Sequence, residues 1–240
     1  MVASNATTGG RASTTTRWMA DSLRTTARMP LAHRCAGGEP GQMRIEIVIF
    51  DGFDELDAFG PFEVLSSAGF DVELVAVRGA GPVRSMRGVR LDLRSTLGRP
   101  DGVIVVGGGW LNRADEGSWA EAQTGVLPER LAAAAGSARW MASVCTGGML
   151  LAAAGLLTGR NATTNRNAYD ELRAYRVNVI EERVVDDGDR VTAGALTAGL
   201  DLGLWLTERE LGPERATAVA AGIDFSLRSP VWTRPPTPCG

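Results

Sequence analysis

From Met43 onward, short apolar runs punctuated by glycine, proline and acidic residues alternate between the period of a strand and that of a helix. "RIEIVIF" (44–50) is near-continuously apolar and predicts a buried strand, "FEVLSSA" (62–68) behind Pro61 predicts a helix, and the alternating "DVELVAV" (71–77) predicts a second strand. "GPVRSMRGVRLDL" (81–93) reads as a turn and short hairpin. "DGVIVVGGGW" (101–110) reads as a buried strand ending in three glycines, with a helical pattern across 117–135 after it. "RWMASV" (139–144) is the next buried strand, with Cys145 at its carboxyl end and a helix beginning near Thr146. "NVIEERVVDDGDRVTAG" (178–194) predicts a hairpin turned at Asp187-Gly188, and "ALTAGLDLGLWLTEREL" (195–211) an amphipathic helix.

Apolar strands separated by helices imply a parallel sheet covered on both faces. Ligands of such sheets sit beyond the carboxyl ends of the strands, where Gly107–Gly109 and Cys145 both fall. Residues 1–42 break the pattern: they are rich in Ser, Thr and Gly, lack apolar periodicity, and carry five Arg against Asp21 and Glu39. They read as a disordered leader or a mis-assigned start ahead of Met43. A single α/β domain is expected over 43–228, with a C-terminal tail over 229–240.

Composition removes whole classes of chemistry. The 240 residues include 25 basic ones, every one an Arg, so Schiff bases, pyridoxal phosphate and a Walker A loop are out for want of a lysine. The single histidine, His33, lies in the leader, which leaves no core imidazole for a Ser-His-Asp triad or most zinc sites. A net charge of −3 builds no field for nucleic acid. No run of about 18 apolar residues occurs, so no membrane span is expected. The three cysteines, Cys35, Cys145 and Cys239, have neither disulfide nor metal spacing and point to a reducing, cytoplasmic compartment. No cofactor and no metal are expected, and carboxylate, thiol, hydroxyl and backbone must do the chemistry on a small-molecule substrate.

In "RWMASVCTGGMLLAAAGLL" (139–157) a buried strand runs into a lone cysteine and turns at once through Thr-Gly-Gly into a helix. Such an elbow pushes a side chain up from the sheet, and small neighbours let the backbone close beneath it. The helix terminus is expected to favour thiolate on Cys145. The N–H groups of Gly109 and Thr146 are candidates for an oxyanion site. "DELDAFGPFEVL" (54–65) brings carboxylates to the same sheet edge, and Asp57, expected just ahead of the helix, either caps a turn or stays protonated beside the thiol and delivers a proton.

"LDAFGPFEVL", "VVGGGW", "ASVCTGGMLLAAAGLLTGRNATTN" and "ERVVDDGDRVTAGALTAGLDLGLWL", in that order over about 43–211, together resemble the DJ-1/PfpI superfamily and, within it, the isonitrile hydratase branch. The resemblance implies a flavodoxin-like three-layer sandwich with a mostly parallel central sheet, of the class I glutamine amidotransferase type, forming homodimers. It makes Cys145 the nucleophile, Asp57 its acid partner and Thr146 a neighbour of the intermediate, with Gly108 and Gly109 at the oxyanion site and Asn165 and Leu196 beside the substrate. Thr146 separates the chain from the branch with Cys-His at the elbow, linked to peptidase or deglycase activity. One departure concerns the pocket: the family's Thr-Thr-His-Trp reads "TTNR", so Asn165 and Arg166 replace a histidine and an aromatic, and Asn does not titrate. The implied activity is cofactor-free hydration of an isonitrile to an N-substituted formamide, or a related hydratase, lyase or cyclase reaction. The alternative is a stand-alone ligand or oxidation sensor. The helix-turn-helix of the related AraC-type regulators is not expected in the about thirty residues that follow the last long helix.

Overall fold

The computed structural model describes residues 43–234; the leader with His33 and Cys35, and Cys239, lie outside the described residues. The elements are β1 (Arg44–Ile49), α1 (Glu55–Ala68), β2 (Asp71–Ala76), β3 (Gly81–Arg84), β4 (Arg90–Leu93), β5 (Gly102–Val105), α2 (Ser118–Thr124), α3 (Val126–Ala135) and β6 (Trp140–Val144). They continue with α4 (Gly147–Ala153), β7 (Asn161–Ala162), α5 (Tyr169–Ala174), β8 (Asn178–Val179), β9 (Val184–Asp186), β10 (Arg190–Ala193), α6 (Ala198–Leu211), α7 (Pro213–Gly222) and β11 (Trp232–Thr233).

Seven strands form the central sheet in the order β11-β9-β10-β6-β5-β1-β2. All neighbours are parallel except β9 and β10, which are antiparallel across the Asp187-Gly188 turn. From β1 the chain first steps outward to β2, then returns to the other side of β1 with β5 and continues to β6 and β10. Right-handed crossovers therefore place α1 on one face and α2 to α4 on the other. Helix α6 packs on α1 and α7, while α2, α3, α4 and α5 pack among themselves. The result is a three-layer, flavodoxin-like α/β sandwich. Its central strands are apolar because both faces are covered: Ile45, Ile47, Ile49, Val103, Ile104, Val105, Met141, Ala142 and Val144 are all fully buried. Gly102 is required in β5, where a Cβ would overlap the Trp140 ring. Among the described residues no helix is long and apolar enough to cross a membrane.

Several boundaries differ from the pattern reading, each for a physical reason. Helix α1 starts at Glu55, capped by Asp54, whose Oδ1 accepts from Leu56 N–H at 3.1 Å, and it runs through Pro61. Asp57 therefore sits in its first turn, not ahead of it. Packing outweighs the proline here: α1 and α6 approach so closely that a Cβ on Gly199 would lie 3.0 Å from Pro61 Cδ and one on Gly203 2.8 Å from Val64. The 117–135 pattern is two helices broken at Gly125, whose φ of 72° ends the first and opens the second. Asn178–Val179 leaves the expected hairpin to pair with β7. Helices α5 and α7 carried no strong periodic signal. Trp232–Thr233, assigned from sequence to a tail, is an edge strand on β9, held by ion pairing of Arg234 with buried Asp187 at 2.6 Å.

Candidate active site

The carboxyl ends of β1, β5, β6 and β10 converge at the point where the strand order reverses, the usual ligand position in such a sheet. Cys145 ends β6 with φ at 55°, a left-handed conformation that costs a non-glycine residue about 1–3 kcal/mol. The surroundings hold it there. Its N–H donates to Ala193 O at 3.1 Å and Gly194 O at 2.8 Å, and its carbonyl accepts from Thr164 Oγ1 at 2.7 Å. Gly147 must be glycine because a Cβ would run into the Val105 carbonyl. This explains the Cys-Thr-Gly-Gly run.

Beneath the thiol lies Asp57, fully buried. Its Oδ2 accepts from Gly107 N–H at 3.1 Å and its Oδ1 from Leu196 N–H at 3.1 Å, while the Cys145 thiol donates to the carboxyl. Leu196, at φ 50°, is a second strained residue and delivers its N–H from the loop after β10. Burial, reinforced by the charge of nearby Asp54, pushes the Asp57 carboxyl up to about 7 against the three hydrogen bonds that favour its ionised form. Burial and then the Asp57 charge push the Cys145 thiol up to about 12, opposed by Asn165 and by Thr146 N–H. The resting sulfur is therefore a thiol. The expectation of a helix-stabilised thiolate is overturned, because Cys145 is only 7% exposed, faces a carboxylate, and heads a helix of seven residues. The raised pKa expected for the carboxyl does hold.

The remaining candidates surround the sulfur. Asn165 Nδ2 lies 3.4 Å from Sγ, and Thr146 Oγ1 accepts from Gly108 N–H at 3.1 Å. The Gly108 N–H is thus occupied. Gly109 N–H, by contrast, has no acceptor among the described residues and remains the free donor at this strand end. Gly108, Gly109, Thr146, Asn165 and Leu196 line a cavity of about 280 Å³ over Cys145, together with Asp54, Met86, Trp110, Leu111 and Asn112. Its walls are largely apolar and, among the described residues, include no cationic side chain. Arg166 is not among them and faces a separate polar depression with Glu181, Glu182 and Arg183. A larger surface depression of about 580 Å³, lined by Phe70, Arg139 and Arg215 among others, contains none of these groups.

Three contributions were not read from sequence. Ser118, fully buried, bonds Gly108 O and Thr146 Oγ1; the residues Gly-Ser carry only a helix-start signal. Glu171 accepts from Trp110 Nε1 and Arg113 Nη2, both at 2.9 Å, and so straps the 110–113 loop over the cavity. Arg87, on the β3–β4 turn, pairs with Asp54 at 2.9 Å and Glu55 at 2.8 Å, seating the turn that carries Met86 against the start of α1.

The arrangement sets a thiol beside a carboxyl whose raised pKa suits it to exchange protons near neutral pH.

Known proteins resemble the chain in sequence and in fold. An isonitrile hydratase of Pseudomonas putida is 33% identical over 192 residues, covering 78% of this chain and 81% of the relative. A Parkinson disease protein 7 homolog of Danio rerio is 27% identical over 188 residues, covering 75% and 96%. The crystal structure of a ThiJ/PfpI family protein from Pseudomonas syringae superposes with a TM-score of 0.71 at 26% identity, covering 84% of this chain and 85% of that one. The DJ-1/PfpI family model matches residues 43–209, and the chain belongs to that family.

Proposed function

We propose that the protein is a cofactor-free enzyme that hydrates an isonitrile to an N-substituted formamide, with Cys145 as nucleophile and Asp57 as proton carrier. The observation that carries this reading is the buried Asp57–Cys145 pair opening into an apolar cavity, with no imidazole among the described residues. The similarity to an isonitrile hydratase supports it. In the first half-reaction Asp57 carboxylate accepts the thiol proton as sulfur bonds the isonitrile carbon, and delivers it to that carbon to give a thioimidate. In the second half, water adds to the same carbon while Asp57 passes one water proton to nitrogen. Collapse to the C=O breaks the C–S bond, and the remaining water proton returns through Asp57 to sulfur. Met86, Trp110, Leu111 and Leu196 suit an uncharged apolar substituent on the substrate nitrogen.

Oxidation sensing is the weaker reading, because a reversible sensor needs an exposed thiolate and Cys145 is buried as a thiol. Partly exposed Leu56, Met86 and Val89, on the neighbouring start of α1 and the β3–β4 turn, offer apolar surface that a homodimer would cover, and we place the enzyme in the reducing cytoplasm. The test is infrared loss of the N≡C stretch with a panel of alkyl and aryl isonitriles. Wild type is expected to consume at least one and release its formamide, and Cys145→Ala to consume none. Absence of turnover by wild type across the panel refutes the reading.

A further inference from the structure

Ser118 opens α2, about ten residues beyond the glycine strand end, and none of it reaches solvent. Both of its polar groups converge on one atom: its N–H and its Oγ each lie 2.7 Å from the Gly108 carbonyl oxygen. The same Oγ is 3.1 Å from Thr146 Oγ1, which in turn accepts the Gly108 N–H. Each hydroxyl has a single proton, so one assignment satisfies all contacts: Thr146 donates to Ser118, Ser118 donates to Gly108 O, and Gly108 N–H donates to Thr146. The ring is closed and buried.

Its consequence lies in the next peptide bond. Gly108 C=O and Gly109 N–H belong to one trans planar unit, so they point in opposite directions. Two donors from Ser118 hold the carbonyl toward the protein interior, which turns the N–H outward, and Gly109 lines the cavity with its N–H unpaired among the described residues. At φ 127° and 71°, Gly108 and Gly109 occupy conformations other residues resist, and a Cβ on Gly109 would lie 2.6 Å from Glu116 O. Doubly donated hydrogen bonds to the carbonyl also polarise the unit and strengthen its N–H as a donor.

We propose that Ser118 is a positioning residue that aims Gly109 N–H at the oxygen developing negative charge when the tetrahedral adduct on Cys145 collapses. This rests on the hydratase reading. Thioimidate formation places no charge on oxygen; the second half-reaction does, as the hydroxyl proton leaves to Asp57 and the C–S bond breaks. Loss of Ser118 is thus expected to act on one half-reaction only.

The experiment is single-turnover mixing of the intact chain with an isonitrile, followed by mass spectrometry of the protein. Ser118→Ala is expected to form the thioimidate within about threefold of the wild-type rate and to hydrolyse it about tenfold to hundredfold more slowly, so that the adduct accumulates. Ser118→Cys, close in size and a weaker donor, is expected to fall between the two and serves if the alanine variant does not fold. A merely structural role slows both halves together; that result, or no slowing at all, overturns the proposal. If wild type turns over no isonitrile, the hydratase reading fails by itself and Ser118 is decided by the hemithioacetal that Cys145 forms with carbon-13-labelled acetaldehyde. Ser118→Ala is then expected to bind the aldehyde about tenfold more weakly while iodoacetamide alkylates it at the wild-type rate. Equal adduct levels in the two proteins, including none in either, overturn the proposal.

Discussion

Replacing Asp57 with asparagine should make Cys145 a better target for an alkylating agent and a worse catalyst at the same time. The Asp57 charge is the second cause, after burial, that pushes the thiol up to about 12. A unit charge about 4 Å away at an effective dielectric of about 20 is worth about 4 kcal/mol, or about three pK units. With the burial cost remaining, Cys145 in Asp57→Asn is expected to titrate about two to three units lower. At pH 8 the thiolate fraction then rises by about two to three powers of ten, and the lower basicity of the new thiolate gives back about half of that, leaving alkylation about twentyfold faster. The assay is iodoacetamide labelling read by peptide mass spectrometry across pH 6–10, in a background with Cys35 and Cys239 replaced by serine. Isonitrile turnover in the same variant is expected to fall at least about a hundredfold, because the amide holds its place but carries no proton. Alkylation that is unchanged or slower would show that Asp57 does not set the thiol and that the two groups do not act as a pair. Turnover at the wild-type level would remove Asp57 from the chemistry.

Three further outcomes follow from the same structure. Because burial raises the folded-state Asp57 carboxyl from 3.8 to about 7, its contribution to stability is fully present below the unfolded pKa and is lost as pH rises through 7. The melting temperature should therefore fall from pH 5 to pH 8 by an amount corresponding to about 2.5 kcal/mol, and calorimetry should find that dependence reduced in Asp57→Asn. Gly102→Ala, which forces a methyl into the Trp140 ring on a central strand, is expected to cost about 3 kcal/mol or more in urea unfolding. Glu171→Ala frees Trp110 and Arg113 from the strap over the cavity and is expected to raise KM about threefold to tenfold with kcat little changed and stability within about 1 kcal/mol, as steady-state kinetics and thermal melts would show.

What was legible in the sequence were features with a local cause. Continuous apolar runs at 44–50, 101–106 and 139–144 announce strands covered on both faces, because no other local arrangement buries every side chain. Asp187-Gly188 announces its turn, and Cys-Thr-Gly-Gly announces an elbow, because only small residues let a helix start that close under a strand. Tertiary structure alone decided the rest. Pro61 belongs to a helix because α6 packs onto it through Gly199 and Gly203, contacts some 140 residues distant that no local propensity encodes. The protonation state of Cys145 was also beyond local reading: its helix terminus argues for thiolate, and the opposing terms, burial and the Asp57 charge, exist only after β1 and β6 are brought to one sheet edge. Ser118 is the clearest case, a serine whose sequence signal is no more than a helix start, and whose three buried hydrogen bonds to Gly108 and Thr146 arise where the ends of β5 and β6 meet.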